Sequence, residues 1–248
     1  MYSKANAKIQ ALSEVKGLQK YLTGKRKVYS FDIISGWSCP FAKDCLSKVH
    51  KINGKSKIVD GPHTQFRCFS ASQEALYPAV YNKRMSNFFA VKGQDIFPTV
   101  DILDGQLPNN AGIVRIHVAG DMFSRKYFMA WLWTAVRNPT VLFYAYTKSL
   151  NYWVDNIDII PDNMVLTSSY GGRLDHLISQ HNLRHVKVVY SVTEAKKLGL
   201  AIDHDDSHAA DPTKKNESFA LLIHGVQPKD SEAGRAVRKL KGKGSYRR

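Results

Sequence analysis

Residues 112–136 read GIVRIHVAGDMFSRKYFMAWLWTAV, and the architecture follows from this stretch. Ile113-Val114-Arg115-Ile116-His117-Val118 is a short, β-branched apolar run of the kind that forms a strand buried on both faces. Ala119-Gly120-Asp121 ends the run, and the nearly all-apolar segment 127–136 has the length of a helix. The same unit recurs downstream. Residues 141–146 exit into Thr147-Lys148-Ser149, and 164–167 into Ser168-Ser169-Tyr170-Gly171-Gly172. Residues 186–190 exit into Ser191-Val192-Thr193, and 200–202 into Asp203-His204-Asp205-Asp206. Residues 219–223 exit into His224-Gly225-Val226-Gln227-Pro228, ahead of a helix capped by Ser231. Strands alternating with helices predict an α/β fold with a parallel sheet. Adding 28–34 upstream gives about seven strands, enough for a partial or open (β/α) barrel. In that architecture the site lies at the C-terminal strand ends, where each of these polar clusters falls.

Working outward, residues 8–21 predict an amphipathic helix, with Ile9, Leu12, Val15, Leu18 and Leu22 at three- and four-residue steps. Gly24-Lys25-Arg26-Lys27 ends it. The loop 35–72 after the first strand holds all three cysteines, Cys39, Cys45 and Cys68. Its turn signals, Asn53-Gly54-Lys55 and Asp60-Gly61-Pro62, make 51–63 a small hairpin or a mobile excursion. Ser72 is the expected N-cap of a helix carrying Leu76, Val80 and Phe88 on one face. Cys68 would then lie just ahead of a helix N-terminus, where the dipole lowers a thiol pKa. Residues 95–110, with Pro98 and Pro108, read as a connection. The expected organisation is one α/β domain over 1–248: a helix and basic linker (1–27), a barrel core (28–228) and a basic helix or tail (229–248).

Charge narrows the partner. Lys and Arg number 36 against 21 Asp and Glu, a net charge of +15 with a pI near 9.7. That balance favours a polyanion, with nucleic acid or a ribonucleoprotein the expected partner. The basic tail would contact phosphate, or simply be solvated. The longest apolar run, 127–136, is too short to span a bilayer, so no membrane association is expected. An odd cysteine count and a Lys-bearing N-terminus without an apolar leader point to the reducing cytoplasm rather than to disulfides.

Three thiolates from one long loop suit a soft metal or an iron–sulfur cluster. The spacing, C-x5-C-x22-C, is not that of a zinc finger. A fourth position would fall to His50, His63, water or a small molecule, and a zinc site with either histidine is the alternative. Packing of the cysteines as small buried hydrophobes is the plainer explanation of the same residues.

The cysteine loop after the first strand, and Gly120-Asp121 after the next, resemble the layout of radical S-adenosylmethionine (SAM) enzymes. That resemblance implies a partial (β/α) barrel with a four-iron (4Fe-4S) cluster on Cys39, Cys45 and Cys68. SAM would occupy the open iron, Gly120 and Asp121 would contact its amino group, and Ser168, Gly225 and Gln227 at later strand exits would complete the cofactor-binding set. The usual spacing in those enzymes, C-x3-C-x2-C, differs from the one here. The chain also resembles a family of bacteriophage proteins labelled after gene product eighty-eight of a mycobacteriophage. The shared segments are GWSCPFAKDCLSKV, FRCFSASQEA, RIHVAGDMFS, FYAYTKS, HDDSHA and FALLIHGVQP, between residues 36 and 228. This implies a phage or prophage origin, action in the host cytoplasm and a cysteine-bound cluster, without specifying a reaction. Modification of nucleic acid or of a ribosomal component suits the charge.

Candidate catalytic residues are Asp121, Lys148, Asp206 and His208, the last two from the acidic-imidazole run ending at Asp211, which could also hold magnesium. His117, inside a strand, reads first as a packed histidine. The Gly171-Gly172 and Gly225 loops offer backbone N–H groups to an anion. Trp131, Trp133 and Trp153 are assigned to the core, and Trp37 to shielding a cluster.

Overall fold

A computed structural model describes residues 1–240; the last part of the basic tail, 241–248, lies outside the described residues. The strands in chain order are β1 (Ser3–Lys4), β2 (Lys27–Phe31), β3 (Ser47–Ile52), β4 (Lys55–Asp60), β5 (Ala111–Ile116), β6 (Leu142–Thr147), β7 (Met164–Ser169), β8 (His185–Val189), β9 (Ala201–Ile202) and β10 (Phe219–Leu222). Eight form one sheet in the order β1-β2-β5-β6-β7-β8-β10-β9, and β3 pairs with β4 in a separate hairpin. Within the sheet only β1 is antiparallel; it pairs with β2 through Ser3↔Ser30.

All seven expected strands are therefore present, in an open sheet. From β2 through β8 each successive strand adds on the same side, so right-handed crossovers place their helices on one face. On that face Val114, Ile116, Phe143, Ala145 and Leu166 pack against Phe128, Trp131 and Leu132 of the helix Arg125–Arg137 and against Val100 and Leu103 of Ile96–Gly105. The opposite, inner face carries the alternate residues Ile113, Leu142, Tyr144, Val165, Val186 and Phe219. Ile9, Leu12 and Leu18 of the N-terminal segment cover it, with Ala209 and Ala210. The sheet does not close. β10 enters between β8 and β9, reversing the winding, and β1 covers the free edge of β2.

Three local expectations are corrected. Residues 8–21 do not form one helix: a short helix Ala7–Gln10 passes into 3-10 turns over Ala11–Glu14 and Lys16–Tyr21, interrupted by extended Val15. Gly17 lies against Asp211, and a Cβ at this position would come within 2.5 Å of the Asp211 carboxylate, which leaves no room for a side chain. The connection 95–110 contains a helix, Ile96–Gly105, whose N-cap Asp95 accepts from Ile96 N at 2.8 Å. Pro98 is tolerated because its missing N–H falls in the first turn, where no intrahelical partner exists. The helix after the cysteine loop starts at Phe69, with Cys68 rather than Ser72 at the N-cap; Pro78 divides it from Pro78–Val91, and Leu76 is exposed.

Candidate functional site

Toward the C-terminal strand ends, the inner face changes character. Arg115 on β5 pairs with the buried Asp206, which also accepts from Tyr144 Oη at 3.0 Å and Tyr146 Oη at 3.5 Å. Arg184 beside this pair donates to Ala209 O at 3.0 Å and His208 O at 2.9 Å. Above this polar layer lies a cavity of about 170 Å³ whose walls include Cys39, Cys45, Cys68, Gly120, Asp121 and Lys148. Arg115, His117 and Ser169 also line it.

Backbone pairing brings the cysteines to this place. The segment between Cys39 and Cys45 bridges to the exit of β7: Lys43 N and Asp44 N donate to Gly171 O at 3.1 and 2.9 Å, and Arg173 N to Phe41 O at 2.8 Å. Gly171 takes φ +91 there, and a Cβ would meet Asp44 Cβ at 2.9 Å, so glycine is required on both counts. The β3–β4 hairpin then returns the chain, and Gln65 N and Phe66 N donate back to Asp44 O at 2.7 and 3.1 Å. Cys68 N donates to Ser47 Oγ at 3.1 Å. Gln227 clamps the neighbouring peptide, its Oε1 accepting from Arg67 N at 2.7 Å and its Nε2 donating to Arg67 O at 3.0 Å.

The thiols are free and mutually unfavourable as anions. Burial pushes Cys39 well above the ordinary thiol value, with Asp121 and the other two thiols adding to it. Cys68 is pushed up to about 12 by burial and then by Cys45, against the pull of the Ala71 and Ser70 N–H groups. The expected lowering by the helix N-terminus is thus outweighed by desolvation. Burial also raises Cys45, and Lys148 is the group that opposes it most. Lys148 is itself buried. Its Nζ donates to Ser169 O at 3.0 Å, Ser169 Oγ at 2.7 Å and Tyr170 O at 2.6 Å, all neutral acceptors.

Asp121 links two strand exits. Its Oδ1 accepts from Met122 N at 2.7 Å and Thr147 Oγ1 at 2.6 Å, and its Oδ2 from Lys148 N at 2.8 Å. Burial raises its pKa while these bonds pull it down. Gly120 lines the cavity with φ +91, where a Cβ would come within 2.3 Å of Ile33 Cγ1.

Other expected residues lie elsewhere. Asp206 and His208 are not on the cavity wall: Asp206 is beneath it, in the Arg115 pair, and His208 packs at 3.7 Å from Asp203. Ser168 donates to Arg184 O at 2.7 Å, and it is Ser169 that faces the cavity. Gly225 is exposed and lies on Phe69. The Gly171 and Gly172 N–H groups already hold an anion of the chain, the Asp175 carboxylate, at 2.9 and 2.8 Å. In the run ending at Asp211, Asp205 accepts from Ser207 N and Asp211 from Thr213 N, as local caps. Trp131 and Trp153 are buried, Trp37 and Trp133 exposed, and Trp37 is not on the cavity wall. His50 and His63 do not line it either.

Arg115 and His117 are among the cavity residues outside the expected set. Arg115 was signalled by a charge inside an apolar strand run. His117 is buried with φ +66, its Nε2 is 2.9 Å from Tyr127 Oη, and its Nδ1 has no hydrogen-bond partner. Burial and then Arg115 lower its pKa to about 3, so the imidazole is neutral. A buried polar atom left open on a residue of the cavity wall suits a donor on a bound molecule.

The open, mostly parallel sheet and the thiol-walled cavity together define an α/β protein with a cavity at the C-terminal strand ends. The family model of gene product 88 matches residues 1–240, and the chain belongs to that family. No curated protein and no solved structure matches it.

Proposed function

We propose that the protein carries an iron–sulfur cluster on Cys39, Cys45 and Cys68 and acts on nucleic acid or a ribosomal component in a host cell. The carrying observation is convergence: thiols far apart in sequence line one cavity at the strand ends. The donor set fits. Thiolates are the ligands iron–sulfur clusters use, and metal is what allows several clustered thiols to ionise together. Lys148, buried and satisfied only by neutral acceptors, supplies positive charge beside Cys45 for an anionic centre. Among the described residues no group of three or more His, Cys, Asp or Glu is arranged to hold a single ion as it stands. The zinc alternative would draw on His50 or His63, and neither lines the cavity.

A cluster held by Cys39, Cys45 and Cys68 would supply one-electron chemistry, and SAM is the co-ligand that the layout implies. The chain's own residues shape the remainder. Gly120 gives close backbone approach, and Asp121 holds the exits of β5 and β6 in register. His117 Nδ1 accepts a hydrogen bond from the bound molecule, and Arg115, held by Asp206, supplies positive charge on the floor.

Cys39→Ala, Cys45→Ala and Cys68→Ala, purified without oxygen, are each expected to lose bound iron and sulfide while keeping the far-UV spectrum of the fold. Full iron in all three variants contradicts the proposal. A non-catalytic nucleic-acid-binding protein with a structural metal is the second reading, favoured by the lysine-bearing hairpin. Unchanged oligonucleotide affinity in metal-free protein, with no SAM binding to the loaded form, selects it.

A further inference from the structure

The β3–β4 hairpin is a cationic ribbon with an aromatic platform. Residues 48–59 contain Lys48, Lys51, Lys55 and Lys57 and no acidic residue. Cross-strand pairs Lys48↔Val59, His50↔Lys57 and Ile52↔Lys55 alternate with Val49↔Ile58 and Lys51↔Ser56, so strand alternation sorts the side chains onto two faces. On one are Lys48, His50, Lys55 and Lys57, with exposed Ile52 and Val59. The other holds buried Val49, and Lys51 there is engaged with Ser56 Oγ at 2.7 Å.

Trp37 lies against the first of these faces. Its Nε1 donates to Val49 O at 3.2 Å, its ring centroid is 5.0 Å from that of His50, and Lys48 Nζ rests 4.6 Å from it. The indole nonetheless remains 44% exposed. The exposed part of the indole gains no packing, and its placement among lysines is the combination that binds an unpaired base and its phosphates.

The ribbon is tied to the cysteines at its base. Asp60 pairs with Arg67 at 2.7 Å, Ser47 Oγ donates to Asp60 Oδ1 at 2.8 Å, and the same Ser47 Oγ accepts from Cys68 N. Ser47 follows Cys45 by two residues.

We propose that the outer face of this hairpin, with Trp37, is the docking surface for single-stranded nucleic acid, holding the strand beside the cysteine cavity. The proposal deepens the nucleic-acid reading above and rests on it. Lysines contact phosphate, and Trp37 stacks on a base once Lys48 exchanges the ring for a phosphate.

The test is fluorescence anisotropy of the full chain with labelled mixed-sequence single-stranded RNA and DNA and with a duplex, across a salt series. Single strands are expected to bind more tightly than the duplex, with affinity falling steeply with salt. The double variant Lys48→Glu/Lys57→Glu is expected to bind at least tenfold more weakly with a shallower salt slope. Trp37→Ala should weaken binding about tenfold, and Trp37→Phe by less. The control Lys196→Glu/Lys197→Glu, on the helix Val192–Lys197, should bind as the parent does. Parent-like affinity in both hairpin variants overturns the placement while leaving the nucleic-acid reading intact. Absence of binding by the unmutated chain at low salt overturns both.

Discussion

The two faces of the sheet are built from the same strands and differ in kind. On the helix-covered face Val114, Ile116, Phe143, Ala145 and Leu166 form an apolar centre, and Trp131 packed on it meets Phe31 edge-on at 5.3 Å. The inner face is graded. It is apolar where Ile9, Leu12 and Leu18 seal it, ionic at Arg115 and Asp206, and thiol-bearing at the top. Neighbouring residues fall on opposite sides: Val114 packs among helices, while Arg115 has its guanidinium 5.0 Å from the Tyr146 ring centroid. Burying a charge is expensive unless it is paired, so the inner face accepts a cost that packing alone does not require.

Substitution separates the two faces most sharply at their centres. Trp131→Ala should cost about 3–5 kcal/mol of stability by cavity formation, read as a lowered urea midpoint. Asp206→Ala should cost roughly 3 kcal/mol because it removes the buried carboxylate that pairs with Arg115. Replacing both partners by Arg115→Met/Asp206→Asn, which keeps an acceptor for Tyr144 and a residue that tolerates φ +65, should restore most of that loss while still impairing ligand binding in the cavity. No recovery in the double variant breaks the claim that the pair serves the site rather than the fold.

Glycines give a smaller contrast. Gly120→Ala, at φ +91 and within 2.3 Å of Ile33, should lose about 1–3 kcal/mol. Gly105→Ala, at the end of a helix on the other face with nothing within 4 Å, should be neutral or gain about 0.5 kcal/mol. Equal urea midpoints for the two variants would remove the contrast.

The last contrast is a pH slope. His117 has its pKa lowered to about 3 in the folded chain, so the unfolded chain binds the extra proton first as pH falls. Its contribution is fully present above the ordinary histidine value of about 6.5 and is lost as pH falls toward 3, by at most about 1.4 kcal/mol per pH unit. Between pH 7 and 5 the parent should lose more stability than His117→Gln. Parallel pH profiles count against a neutral, buried imidazole.

Much of this was legible in the chain. Strands buried in a parallel sheet read as apolar runs closed by polar exits, which is why all seven appear near their expected places and why Cys39, Asp121 and Lys148 share a wall. What was not legible depended on distant contacts. The N-terminal helical pattern breaks at extended Val15, and Gly17 in the turn that follows fits against Asp211 from a distant part of the chain. The insertion of β10 between β8 and β9 leaves no local mark, and it is at that rearranged edge that Asp206 turns under the cavity instead of lining it. A lone Arg115 in an apolar strand was the available signal for that inner charge, whereas His117, at φ +66 just past the strand end, turns its ring toward Tyr127 and Trp131.

The central claim is tested most directly by anaerobic purification followed by iron, acid-labile sulfide and zinc analysis on one sample. The account predicts iron and sulfide in matching amounts, near four of each per chain for a 4Fe-4S centre, with little zinc. Zinc alone, or no metal after reconstitution with iron and sulfide, would contradict it and return the cysteines to packing.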